Sequence, residues 1–153
     1  MFDKKNLETI QKTTEEFFQK MGCGVEAEVK TSDEKTLSVS VTMDDPQIFI
    51  GEGGKTLSNI QHLLKAILIK KMQFLFFLSL DINEYKKKKY QYLRELAKAV
   101  ADEAVLTKKE KILTPMSPAE RRIVHLELAE RKDVTSESIG QDPERRVAIR
   151  PYP

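Results

Sequence analysis

The stretch Gly51-Glu52-Gly53-Gly54 constrains this chain more than any other four residues. It stands between an apolar segment, Ile48-Phe49-Ile50, and an amphipathic helical run that begins near Lys55. A Gly-x-x-Gly turn between two helices lets another backbone approach closely, because glycine has no Cβ and adopts positive φ. The free N–H groups of the following helix point into the turn, and its positive dipole end favours an anion. A phosphate is the natural ligand for such a place. From four residues alone, a glycine-rich helix start with no ligand is the simpler reading.

Spacing removes two phosphate-binding motifs. Gly54-Lys55-Thr56 mimics the end of a nucleotide-binding P-loop, but Phe49 stands where that motif needs its first glycine. The dinucleotide fingerprint fails because its third glycine falls on Thr56. The nucleic-acid-binding KH loop does fit, since its Gly-x-x-Gly clamps the backbone of about four single-stranded nucleotides.

The chain has 153 residues, enough for one ordinary domain or two small ones. No apolar run is long enough to span a bilayer, so no membrane insertion is expected. The longest, Phe74 to Leu80, is strand-sized. The N-terminus does not read as a signal peptide. The single cysteine, Cys23, excludes an intramolecular disulfide and fits a reducing compartment, so a cytoplasmic location is expected. With one cysteine and two distant histidines, His62 and His125, no metal-ligand cluster is apparent and no cofactor is expected. A net charge of +2 does not by itself argue for nucleic acid. The charge is locally uneven, however. Lys86 to Lys89 form one basic block, and Arg121-Arg122, Arg131-Lys132 and Arg145-Arg146 form another set.

Periodicity predicts a helix over 3–21, closed by Gly22 and Gly24. Alternation at Val25, Ala27 and Val29, and again at Leu37, Val39, Val41 and Met43, predicts a hairpin across residues 32–35. Asp44-Asp45-Pro46 starts a short helix that the glycine loop cuts off. Leu57, Ile60, Leu64, Ile67 and Leu68 mark an apolar stripe on a helix from Lys55 to Lys71. Phe74 to Ile82 reads as a buried strand, with Phe74, Phe76 and Phe77 in the core.

The longest helical run is Glu84 to Leu106, with Leu93, Leu96, Ala97, Val100 and Ala104 on one apolar face. Lys86 to Lys89 reads as its solvated beginning. Ser117 and Glu120 form a capping box for a helix to about Arg131. Val134–Ile139 and Arg146–Arg150 pair as strands across the turn at Gly140 to Pro143. The boundary falls near 82–85.

The first half, helix-strand-strand-helix-loop-helix-strand with Ile50-Gly51-Glu52-Gly53-Gly54-Lys55-Thr56-Leu57 at the loop, resembles a type II KH domain (αββααβ). The second half resembles the small nucleic-acid-binding Arg-x-x-x-His (R-three-H) domain. Arg121-Arg122-Ile123-Val124-His125 supplies its pair. The flanking stretches 113–120, 134–140 and 142–149 are close to that family's text. KH followed directly by Arg-x-x-x-His is the arrangement of the bacterial Jag family, also called SpoIIIJ-associated or KhpB proteins.

The resemblance implies an α+β chain with a KH domain over 1–83 and an Arg-x-x-x-His domain over 84–153. Jag proteins often carry a further N-terminal domain and linker. This chain is expected to begin at the KH domain. The loop's variable pair, often basic in KH domains, is Glu52-Gly53 here, and a carboxylate beside a phosphate track repels it.

The candidate nucleic-acid-binding residues are therefore Gly51, Glu52, Gly53, Gly54 and Lys55 in the loop, with Arg121, Arg122 and His125 on a helix. Arg121 and His125 lie four apart and share a face. There the arginine would contact phosphate, and the histidine would donate a hydrogen bond or stack on a base. The bland alternative is a surface pair, or a histidine satisfied locally. No nucleophile–base arrangement can be picked out, so no enzyme is expected.

The resemblance implies a single-stranded RNA-binding protein, a post-transcriptional regulator linked to cell elongation or division, with a small KH-only protein as a further partner. The competing reading is an interaction module that pairs with another KH protein and has weak or vestigial RNA binding.

Overall fold

The computed structural model describes residues 2–153. The chain divides into two compact units, one ending at Lys86 and the other covering Lys87–Pro153. Both are α+β. In the first, α1 (Lys4–Lys20) is followed by β1 (Glu26–Thr31), β2 (Thr36–Thr42), α2 (Gln47–Ile50), a 3₁₀ turn (Glu52–Gly54), α3 (Lys55–Met72) and β3 (Phe77–Ile82). The order is αββααβ. The carboxylate of Asp3 accepts from the Asn6 amide at 2.7 Å and caps α1.

β1 and β2 form the expected hairpin, pairing antiparallel from Glu26↔Thr42 to Thr31↔Leu37. β3 pairs with β2 in parallel, from Thr36↔Phe77 to Val41↔Ile82. A parallel pair needs a long crossover. Here α2, the glycine turn and α3 supply it. Because α3 runs back against the strands, its start lies at the end of the sheet where β2 and β3 finish. That connection is what puts the glycine turn near the residues that follow β3.

Leu37, Val39, Val41, Leu78, Leu80 and Ile82 face the helices and pack with Ile10, Phe18, Leu57, Ile60, Leu64 and Leu68. Ile67, expected in the apolar stripe, is instead 37% exposed. It sits at the edge of the stripe, beside the fully buried Leu64 and Leu68.

β3 also differs from expectation. It begins at Phe77, and Phe77 is 66% exposed and not in the core. A sheet with one solvated face imposes a period of two. Leu78, Leu80 and Ile82 point inward, so Phe77, Ser79 and Asp81 point outward. The continuous apolar run concealed that alternation. Phe76 is buried, and Phe74 packs against the core. With Phe2 they make an edge-on trio, with ring centroids 5.4–5.8 Å apart.

The free edge of β3 is partly closed. The amides of Phe77 and Asn83 donate to Lys35 and Val41, so odd-numbered amides face β2. The amide of Leu80 faces away and donates to Gln61 Oε1 at 3.0 Å, and that of Ile82 donates to Asp81 Oδ1 at 2.9 Å. Side chains thus occupy two of the edge donors that another strand would need.

The second unit contains most of α4 (Tyr85–Thr107), then β4 (Lys111–Ile112), α5 (Pro118–Leu128), β5 (Val134–Ile139) and β6 (Arg146–Pro151). The antiparallel sheet has the order β4-β6-β5. Ala97, Ala101 and Ala104 of α4 pack with Val124 and Leu128 of α5 and with Val147 and Ile149 of β6. The expected capping box is present. Ser117 Oγ accepts from the Glu120 amide at 3.2 Å, and Glu120 Oε2 accepts from the Ser117 amide at 2.9 Å. α5 stops at Leu128, short of Arg131.

Candidate nucleic-acid interface

All three glycines of the loop have positive φ: 72° at Gly51, 61° at Gly53 and 79° at Gly54. They are needed for different reasons. Gly51, with ψ 179°, occupies a region essentially reserved for glycine, and a Cβ there would lie 2.2 Å from Thr56 Oγ1. A Cβ on Gly54 would come 3.1 Å from the ring of Tyr85. A Cβ on Gly53 would meet nothing within 4 Å. Gly51 and Gly54 therefore let the turn pack against its own unit. Gly53 presents bare backbone to open space, where a ligand's backbone can come close.

Beside the turn lies a cleft of about 500 Å³, lined by Gln47, Ile50, Gly51, Glu52 and Tyr85. Its charged lining residue is the carboxylate of Glu52. Lys55 is exposed at the start of α3, and among the described residues neither Glu52 nor Lys55 is in an ion pair. The exposed side chain of Ile48, at 80%, adds an apolar surface on α2. The cleft offers backbone amides, one aromatic wall and apolar surface, with one carboxylate opposing a phosphate.

Two of these features escaped sequence reasoning. Tyr85 opens α4 and reaches Gly54 through the tertiary fold, which no local pattern announces. The side chain of Asn83, a residue at φ 50°, donates from Nδ2 to the Met43 carbonyl at 2.8 Å and accepts at Oδ1 from the Met43 amide at 2.9 Å. It ties the end of β3 to the segment leading into α2. Asparagine tolerates this left-handed conformation better than most residues, which is the one local hint.

The lysine block divides. Lys86 is not solvated as expected. Its Nζ donates to Gln61 Oε1 at 2.7 Å, and its amide donates to Asp81 Oδ1 at 3.0 Å. Burial lowers its pKa, opposed by the nearby Asp81. Lys89 pairs with Glu120 at 3.4 Å. Lys87 and Lys88 are exposed.

In the second unit, α5 places Arg121 and His125 one turn apart, but neither is held out to solvent as a free contact. Arg121 is only 7% exposed. Its Nη1 donates to the carbonyl of Met116 at 2.8 Å and lies 3.7 Å from Asp142 Oδ1. The Met116 amide in turn donates to the Arg145 carbonyl at 3.1 Å. Arg121 thus braces the segment before α5 against the β5–β6 turn.

The two ring nitrogens of His125 sit 2.8 Å from the hydroxyls of Ser136 and Ser138 on β5. Burial lowers its pKa, and the positive Arg121 lowers it further. A neutral imidazole uses one nitrogen as donor and one as acceptor, and hydroxyls serve both. The ring is already satisfied. Arg121 and His125 thus already have partners within the unit, which helical spacing does not announce, because it gives a shared face but not which way that face points.

Arg122, the next residue, is exposed, and so is Arg145 in the turn. Among the described residues neither forms an ion pair. Other arginines of this unit are engaged. Arg131 pairs with Asp102 and Asp133, Arg146 with Glu144, and Arg150 with Glu110 and Glu137. Among the described residues, no group of three or more His, Cys, Asp or Glu could hold a metal ion. None of their helices is long and apolar enough to cross a membrane.

Comparison with known proteins agrees with this architecture. The R-three-H domain family matches residues 91–151. The RNA-binding protein KhpB of Clostridium symbiosum is 35% identical over 150 residues, covering 95% of this chain and 68% of that protein. The RNA-binding protein KhpB of Lactiplantibacillus plantarum is 32% identical over 102 residues, 67% of this chain and 32% of that protein. For the RNA-binding protein KhpB of Bacillus subtilis the identity is 28% over 117 residues, 75% of this chain and 56% of that protein. The chain thus spans two thirds of the first of these relatives and a smaller share of the other two. On the extent of its identity to the first, the chain belongs to the KhpB family.

Proposed function

We propose that this chain binds single-stranded RNA without catalysing a reaction. The observation that carries the reading is the glycine turn at the start of α3, with Gly53 open to solvent beside a cleft walled by Tyr85 and Ile50. An RNA backbone passes at Gly53, Gly54 and Lys55, and bases enter the cleft. The name of its relatives, RNA-binding protein KhpB, supports the same reading. In the second unit Arg122 takes phosphate, and Arg121 and His125 hold the helix that presents it. The protein acts in the cytoplasm as a post-transcriptional regulator.

Fluorescence anisotropy with matched single-stranded and duplex oligonucleotides tests this. Preference for the single strand, weakening with salt, is expected. Equal affinity for both, or none at low salt, refutes it.

A second reading is an interaction module that pairs with another KH protein. Leu63 and Ile67, one turn apart on α3 and 54% and 37% exposed, favour it, as does the carboxylate in the cleft. With the Leu80 and Ile82 amides of the β3 edge taken by Gln61 and Asp81, such pairing would not add a strand at β3. Analytical ultracentrifugation with a small KH-only protein separates the readings. Loss of a complex on Ile67→Asp, with RNA affinity absent throughout, would favour the module.

A further inference from the structure

We propose that Phe77 is a stacking platform for an unpaired base, a second nucleic-acid contact in the first unit. This rests on the RNA-binding reading above. Phe77 is an aromatic side chain 66% exposed at the first position of an edge strand. Its ring stands between two clefts. One, of about 370 Å³, is lined by Lys35, Lys65, Ile69, Leu75, Phe76 and Phe77. The other, of about 450 Å³, is lined by Asp33, Glu34, Lys35, Thr36 and Phe77.

The charges suit a nucleotide. Lys65 Nζ lies 5.6 Å from the ring centroid of Phe77. Lys35 lines both clefts, and among the described residues neither lysine is in an ion pair. A base can stack on the ring while its phosphate meets Lys35 or Lys65. The carboxylate of Asp33 is occupied within its turn, accepting from the Lys35 amide at 2.7 Å. The exposed Glu34 directs phosphate away from that cleft, towards the side with Lys65. The capped edge of β3 disfavours the other common use of an exposed strand, addition of a peptide strand.

Position predicts a length dependence. Tyr85, beside the glycine turn, follows the end of β3, and Phe77 begins it. Five residue steps of parallel strand span roughly 17 Å. A KH loop clamps about four nucleotides. A four-nucleotide strand clamped at its middle extends about two nucleotides either way, so Phe77, at the far end of β3, serves only a longer strand.

The test compares Phe77→Ala, Phe77→Leu and Phe77→Tyr in the full chain, with thermal melts as a control for folding. Affinity is read on a four-nucleotide and a twelve-nucleotide unstructured RNA. Phe77→Ala is expected to lose about tenfold on the long RNA and nothing on the short one, by the usual size of a base–aromatic stack. Phe77→Tyr restores the affinity and Phe77→Leu does not. Full affinity in Phe77→Leu shows that apolar area and not stacking matters, which points to a protein contact and overturns the proposal. Unchanged binding in Phe77→Ala, while Gly53→Asp still abolishes it, overturns the stacking site alone. Absence of RNA binding by the unaltered chain overturns both the site and the reading on which it rests.

Discussion

Arg121→Ala separates a brace from a phosphate contact. Arg121 is only 7% exposed, and the firm bond of its guanidinium is to the Met116 carbonyl at 2.8 Å. A hydrogen bond to a charged group contributes about 1.5–3 kcal/mol. The Asp142 carboxylate, at 3.7 Å and 69% exposed, adds little, since pairs with an exposed partner contribute about 0–1 kcal/mol. Truncation also leaves the stem's packing space unfilled. A loss of roughly 2–3 kcal/mol follows, or about 10–20 °C for a unit of this size. Differential scanning calorimetry of the full chain reads it, because the two units can unfold as separate transitions.

Arg122→Ala is the matched control. It removes the neighbouring exposed guanidinium, which should leave melting within about 0.5 kcal/mol of the parent. If it contacts phosphate, RNA affinity falls evenly across sequences, and the slope of log affinity against log salt shrinks by about 1. The reasoning fails if the phenotypes are exchanged. An Arg121→Ala protein that melts like the parent, yet loses RNA affinity together with one unit of salt slope, would put Arg121 on the phosphate.

Three further outcomes are expected. Gly51→Ala should cost more stability than Gly53→Ala. The first adds collision with Thr56 to a glycine-only conformation, about 1–3 kcal/mol before the collision, and the second costs about 1–2 kcal/mol with no contact, as urea unfolding would measure. Thr56→Ala should not rescue Gly51→Ala, because the Thr56 Cβ would still be 2.8 Å away. Glu52→Lys should tighten RNA binding and steepen its salt dependence, and weaker binding in anisotropy would remove the carboxylate from the phosphate path. His125, whose folded pKa lies below its ordinary 6.5, binds its proton more readily when unfolded, so its contribution is full above about pH 6.5 and is lost as pH falls through the folded value. His125→Gln should flatten that part of the stability–pH curve, and a ring titrating above 6.5 by NMR would contradict the half-buried, neutral assignment.

Local chemistry was sufficient for the elements. Alternation of Leu37, Val39 and Val41 marks a strand with one wet face, and Ser117 with Glu120 marks a helix start. Both follow from backbone geometry within a few residues, so they survive any tertiary arrangement. The glycine turn was legible for the same reason, since three positive φ angles in four residues favour glycine whatever surrounds them.

Direction was not legible. Phe77 sits in an apolar run that reads as buried, and only the pairing register with β2 decides that it points outward. Helical spacing put Arg121 and His125 on one face, but packing of α5 against β5 and the Met116 segment turned that face inward. Arg122, with the same side chain one residue later, was left outside. Tyr85 meets Gly54, and Gln61 caps Leu80, across separations of 31 and 19 residues that carry no periodic signal. Sequence therefore determined which segments are helix, strand and glycine turn, because those depend on neighbours along the chain. The tertiary structure alone decided which charged and aromatic groups remain free for a ligand, because that depends on what the rest of the fold has already engaged.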